Sequence, residues 1–195
     1  MTDPVNPAAD AERTRKRNRG MLLLVVALFF GTMIMAGALR FSGWRPAGMK
    51  NKGELLQPPV DLRGNAPRLA TGDTYAWNPD QRQWRILAVP PATCGADCDA
   101  LARDLDVVWR AAGRNADHVD VLWLCAQAGC AAPAPLHADR ALHVLAPDDA
   151  LRAKLPAGAV GTYIIDPNGF VILRYAPGTN LMGLREDLSK LLKLL

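Results

Sequence analysis

The sequence predicts an α/β domain carried behind one N-terminal helix able to cross a membrane. Three observations lead there. Residues 21–39 read MLLLVVALFFGTMIMAGAL, nineteen residues without a charge. Runs rich in β-branched and aromatic residues alternate with stretches of helical period over the rest of the chain. The chain closes on two such runs joined by Pro-Asn-Gly, then a helix of regularly spaced leucines. With 195 residues, 50% hydrophobic and 22% charged, there is room for one core of ordinary size plus an appendage.

The uncharged run approaches the roughly 20 residues that a helix needs to span a bilayer. Arg13, Arg15, Lys16, Arg17 and Arg19 precede it, and basic residues beside a first span tend to stay in the cytoplasm. The expectation is a bacterial inner-membrane protein with one span. Its basic tail (1–20) is cytoplasmic, its transmembrane helix is 21–39, and the remainder is periplasmic. A cleaved signal peptide is the alternative, since Ala36-Gly37-Ala38 suits signal peptidase. The formal charge of +4 is concentrated in the short tail: residues 1–20 carry five basic and three acidic side chains, leaving only +2 for residues 21–195. No basic stripe with interleaved aromatics occurs in that longer part, which speaks against nucleic acid as a partner.

Residues 40–60 (RFSGWRPAGMKNKGELLQPPV) show neither period and are rich in Gly and Pro, so they read as a linker, with the folded domain at 61–195. Trp44 suits a membrane interface or ordinary packing. DTYAW (73–77) and QWRILAV (83–89), separated by Asn78-Pro79-Asp80, read as a hairpin. From Cys98 onward, Leu101, Leu105, Val108 and Ala112 recur at helical spacing, and Gly113 supplies the stop. VDVLWL (119–124) reads as a buried strand and ALHVL (141–145) as a shorter one. PDDALRAKL (147–155) suits a short helix, with acids at its start and Lys154 near its end. TYIID (162–166) and FVILRY (170–175) form the closing hairpin, with Asp166 as a turn-former. Leu181, Leu184, Leu188, Leu191, Leu192 and Leu195 mark the last helix. The sequence contains no internal repeat, metal-finger spacing, phosphate loop or G-x-S-x-G elbow.

The chemistry resides in four cysteines. Cys94 and Cys98 stand at a helix start, and export would place all four where disulfides form and persist. A thiolate at a helix N-terminus is favoured by the N–H groups and dipole there. Cys98 shares a face with Leu101 and Leu105 and so points inward. This predicts an attacking sulfur at Cys94 and a resolving one at Cys98, the arrangement of a thiol–disulfide oxidoreductase. Two thiolates on adjacent turns also suit a soft ion such as Cu(I), and a plain structural disulfide is the third reading. Cys125 and Cys130 suit a structural disulfide closing their own loop, or a second pair that relays electrons to the first. His118, His137 and His143 stand in no ligand spacing, with His137 the most accessible. Trp84, Trp109 and Trp123 read as core.

An N-terminal anchor, Cys94-Gly-Ala-Asp-Cys98 after a strand, and TYIIDPNGFVILRY before a terminal helix together resemble the Sco/SenC family of thioredoxin-like proteins, over roughly residues 83–195. WRPAGMKNKGELLQPP resembles the start of a small proteobacterial membrane protein associated with cytochrome c oxidase assembly. The resemblance implies a thioredoxin-like sheet with flanking helices. It also implies copper delivery or thiol handling at Cys94 and Cys98, and respiratory oxidase subunits or assembly factors as partners. The family's copper-binding histidine precedes the strand ending in D-P-x-G, where this chain reads LPAGAVGTYIIDP. The implied ligand set is therefore reduced to the two sulfurs. A non-catalytic thioredoxin-fold scaffold with structural disulfides is the rival expectation.

Overall fold

A computed structural model describes residues 7–42, 50–93, 95–134, 136, 141–156 and 160–194, with the side chains of 7–14 left aside. Two units result, residues 1–49 and 50–195. In the first, one helix, α1 (Pro7–Phe41), contains the uncharged run, and its stretch Arg15–Phe41 is long and apolar enough to cross a membrane. Nineteen residues at 1.5 Å each give about 28 Å, matching a hydrocarbon core of about 30 Å. Trp44 lies outside the described residues.

Among the described residues the second unit has six strands: β1 (Glu54–Asp61), β2 (Trp84–Val89), β3 (Val119–Leu124), β4 (Leu142–Leu145), β5 (Gly161–Ile165) and β6 (Phe170–Tyr175). Their order across the sheet is β1-β6-β5-β2-β3-β4. β2, β3 and β4 run parallel, while β5 lies antiparallel to β2, β6 to β5 and β1 to β6. Three helices occupy the expected segments: α2 (Ala96–Ala111), α3 (Asp149–Lys154) and α4 (Met182–Leu191).

All six residues of β2 are buried, because the strand is central and both faces are covered. Side chains alternate across a strand. Trp84, Ile86 and Ala88 therefore join a core containing Ala102, Leu105 and Val108 of α2 with Leu184 and Leu188 of α4. Leu87 and Val89 join a second core with Leu122, Leu124, Leu151, Tyr163 and Ile165. Trp84 and Trp123 are buried core residues and Trp109 is half-buried against the first core.

The helix ends obey local chemistry. α2 stops where Gly113 takes φ +57°, a conformation cheap for glycine. The Asp148 side chain caps α3, accepting from the Leu151 N–H at 2.8 Å. At the β5–β6 turn, Asp166 Oδ1 accepts from the Phe170 N–H at 2.8 Å and Gly169 takes φ +90°.

Two expectations are corrected. Residues 73–77 are not a strand paired with β2; that stretch makes only an isolated bridge, Arg68 to Thr74. Both edges of β2 are occupied, by β3 and β5. The segment instead covers Arg85, a β2 side chain only 1% exposed. Arg85 Nε donates to the Tyr75 hydroxyl at 2.9 Å, its Nη1 donates to the carbonyl of Pro167 at 3.1 Å, and its guanidinium stacks over Trp77. A buried cation needs such partners, and they hold Tyr75 and Trp77 beneath the sheet.

The second correction concerns 40–60, expected to be linker. Its latter part forms β1, an edge strand on β6. Pro58 and Pro59 interrupt the ladder between Leu55 and Val60, which an edge tolerates because one side of the strand has no partner to supply. The folded unit thus begins before residue 61.

Candidate functional site

β2 and β3 are adjacent parallel strands, with Ala88 opposite Trp123. Both strands therefore end on the same side of the sheet, and the cysteines follow each C-terminal end. After Val89, Pro90 and Pro91 prevent the strand from continuing, and α2 opens at Ala96. Cys98 lies in its first turn, 5% exposed, with its N–H donating to the Gly95 carbonyl at 3.0 Å. Its inward orientation agrees with the helical spacing. Cys98 is disulfide-bonded; Cys94 lies outside the described residues.

Helix α2 starts from Gly95, which brings no side-chain cap. Its N-terminal dipole end is therefore available to stabilise negative charge on sulfur. Asp97 and Asp99 flank Cys98 and oppose that effect, but both are exposed and their charges are screened by water and salt.

From the end of β3, Cys125 is disulfide-bonded to Cys130 across a Cα–Cα distance of 5.8 Å. Cys125 is 1% exposed and Cys130 half-buried. Arg152 of α3 donates from Nη2 to the Cys125 carbonyl at 3.1 Å. An open cleft of about 600 Å³ lies between the two loops, lined among others by Pro90, Pro91, Cys98, Trp123, Gln127 and Cys130. The fold thus brings the first turn of α2 and the 125–130 loop onto one depression. Arg152 and Gln127 had no local signal in the sequence, since only the packing of α3 and the path of the loop place them here.

The histidines lie elsewhere. His118 is exposed, and the half-buried His143 has Nε2 3.7 Å from Asp120 Oδ1 with its ring 5.1 Å from that of Tyr75. His137 lies outside the described residues. Asp120 also accepts from the hydroxyl of Tyr75 and from Gln83. Burial pushes the Asp120 carboxyl up, but hydrogen bonds from His143, Tyr75 and Gln83 outweigh it and hold it below the usual carboxylate range. These groups line a second cleft that shares no lining residue with the cysteine cleft. Among the described residues, no group of three or more His, Cys, Asp or Glu is placed to hold a metal ion.

Residues 84–195 match the family described as transmembrane-like, thioredoxin-like, C-terminal domain. No curated protein sequence matches the chain. Among solved structures it is similar to a SCO1/SenC family lipoprotein from Bacillus anthracis, with 16% identity, 72% of this chain and 98% of that one covered, and a TM-score of 0.51. It is also similar to yeast Sco1 with copper bound, at 12% identity, 76% and 96% coverage and a TM-score of 0.51. A third similar structure is BsSco, a member of the Sco family of cytochrome c oxidase assembly proteins, for which a disulfide switch was identified. It shares 11% identity over 76% of this chain and 99% of that one, at a TM-score of 0.53. At such identities the likeness establishes the fold, a thioredoxin-like mixed sheet with flanking helices.

Proposed function

The chain belongs to the transmembrane-like, thioredoxin-like C-terminal domain family, and from that premise we propose that it is a membrane-anchored, periplasmic thiol–disulfide exchange factor serving cytochrome c oxidase assembly. Cys94 and Cys98 are its working pair. The observation that carries this reading is a disulfide-bonded Cys98 in the first turn of α2, on the wall of an open cleft beyond the C-terminal ends of β2 and β3. A structural staple does not require such a cleft, whereas a client disulfide requires room to approach.

In the reduced protein, the Cys94 thiolate attacks one sulfur of a client disulfide. A Cys94–client bond forms and the other client sulfur leaves as a thiolate. The Cys98 thiolate then attacks the Cys94 sulfur, closing Cys94–Cys98 and releasing the second client thiol. Two electrons and two protons pass to the client. α1 holds the domain at the inner membrane beside its clients, respiratory oxidase subunits or assembly factors.

Copper as a transient cargo of the same two sulfurs is the second reading, supported by the likeness in fold to yeast Sco1 with copper bound. Thiol exchange is preferred because residues 155–167 contain no histidine and because a sulfur engaged in a disulfide, as Cys98 is, donates poorly to Cu(I).

The test is a single turnover of detergent-solubilised, pre-reduced protein with a fluorogenic peptide disulfide. Cys94→Ser should lower the rate at least 100-fold, and Cys98→Ser should accumulate the Cys94–peptide adduct. Unchanged rates in Cys94→Ser, together with normal oxidase activity in membranes of cells carrying it, would favour a non-catalytic scaffold with structural disulfides.

A further inference from the structure

We propose that Cys125–Cys130 is a second redox-active pair, and that Cys130 exchanges directly with Cys98 across the cleft both line, carrying two electrons between the pairs within one chain. This deepens the thiol-exchange reading of Cys94 and Cys98, on which it rests, by supplying that pair with an internal donor.

Topology makes the encounter local. Neighbouring strands lie about 4.8 Å apart, and the two sulfur-bearing loops extend from the same ends of β2 and β3. Cys98 and Cys130 both line the cleft, and Cys98, Cys125 and Cys130 belong to one apolar cluster. Exposure differs within the second pair: Cys125 is 1% exposed and Cys130 half-buried on the cleft wall. That asymmetry provides an outer sulfur to attack and an inner one to resolve.

The connecting residues are AQAG, and Gly129 takes φ +77°, where an added Cβ would meet nothing within 4 Å. A loop this short lies at the low end of what a disulfide constrains in the unfolded chain. The guanidinium of Arg152, bonded to the Cys125 carbonyl, places positive charge beside the residue whose thiolate the exchange would create.

Electrons enter the cycle from an external dithiol of the thioredoxin class, which reduces Cys125–Cys130 with two electrons and two protons. The Cys130 thiolate attacks Cys98 Sγ, the Cys94–Cys98 bond breaks with Cys94 leaving as thiolate, and Cys98–Cys130 forms. The Cys125 thiolate then attacks Cys130 Sγ, re-forming Cys125–Cys130 and releasing Cys98. The two protons given up by Cys125 and Cys130 are taken up at Cys94 and Cys98, and the first pair is ready for a client.

The experiment uses the full chain in detergent with the double substitution Cys94→Ser/Cys125→Ser, oxidised in a glutathione buffer and mapped by peptide mass spectrometry. A Cys98–Cys130 disulfide should be the main product, in a yield independent of protein concentration. Recovery of both as thiols or glutathione adducts, in protein whose circular dichroism matches the parent, would overturn the relay. Should that variant not fold, the rate at which dithiothreitol reduces the Cys98 disulfide is compared between the parent and Cys125→Ser/Cys130→Ser. A drop of at least tenfold is expected, and equal rates overturn the proposal. Failure of the single turnover by pre-reduced parent protein counts against thiol exchange itself, whereas failure of the cross-link counts against the relay alone.

Discussion

Asp187→Ala removes a carboxylate that is 2% exposed and accepts four hydrogen bonds. They come from the backbone N–H groups of Lys52 at 2.6 Å and Gly53 at 3.0 Å, the Tyr175 hydroxyl at 2.9 Å and Lys190 Nζ at 3.0 Å. This cluster ties the lead-in to β1, the end of β6 and α4 to one buried charge. Alanine would leave the Tyr175 hydroxyl and the Gly53 N–H without their acceptor. Hydrogen bonds to a charged group are worth about 1.5–3 kcal/mol each but do not add within a network, and removing one partner of a buried charged arrangement costs about 3–5 kcal/mol. The expected loss is therefore about 3–5 kcal/mol, out of a total of about 5–15 kcal/mol for an ordinary domain. At about 2–4 °C per kcal/mol, the midpoint should fall by roughly 6–20 °C.

The same carboxylate sets an acid dependence. Burial pushes Asp187 up, but the Gly53 N–H, Lys190, the Lys52 N–H and Tyr175 together hold it below its usual range. A folded-state value below the unfolded value of about 3.9 means that the stabilisation is fully present above that pH and is lost as pH falls through the folded value. In urea titrations followed by circular dichroism, the gap between the parent and Asp187→Asn should be constant from about pH 5 to 7 and shrink below about pH 4. A cost below about 1 kcal/mol for Asp187→Ala, no more than one ordinary hydrogen bond, or a gap that does not narrow in acid, would refute the reasoning.

Leu105→Ala empties a fully buried position on α2 two turns beyond Cys98; urea unfolding should show a loss of about 2–5 kcal/mol. In Gly53→Ala the new Cβ would meet Tyr175 Cζ at 2.6 Å, and the same assay should register about 1–3 kcal/mol of overpacking. Cys125→Ser/Cys130→Ser opens a loop of sequence separation 5, for which chain entropy predicts about 2 kcal/mol, read as a lowered calorimetric midpoint. The chain should remain with membranes through an alkaline carbonate wash, and replacing Leu23, Val26 and Phe30 of α1 by Asp should release it, at about 2.5–3.5 kcal/mol per central charge.

Elements recorded in local sequence pattern were legible: the apolar run of α1, the Leu101–Leu105–Val108 face of α2, the apolar run Val121–Leu124 of β3 and the Asn-Gly hairpin of β5 and β6. The inward orientation of Cys98 belongs with these, since a 3.6-residue period alone puts it on the core face. β1 was not legible, because two prolines erase its pattern and its partner is β6, where Glu54 lies opposite Arg174. Residues 73–77 were misleading for the converse reason. Their β-rich composition suits a strand, but strand pairing depends on a vacant edge, and β3 and β5 had taken both edges of β2.

By itself, then, the amino-acid order determined the apolar helix, most of the elements and the presence of two close-spaced cysteine pairs, because each depends on residues within a few turns of one another. Which strands became neighbours, what covers Arg85, and the opening of Cys98 and Cys130 onto one cleft were decided only in the folded chain. Those outcomes rest on contacts between segments tens of residues apart, and such contacts leave no period in the sequence.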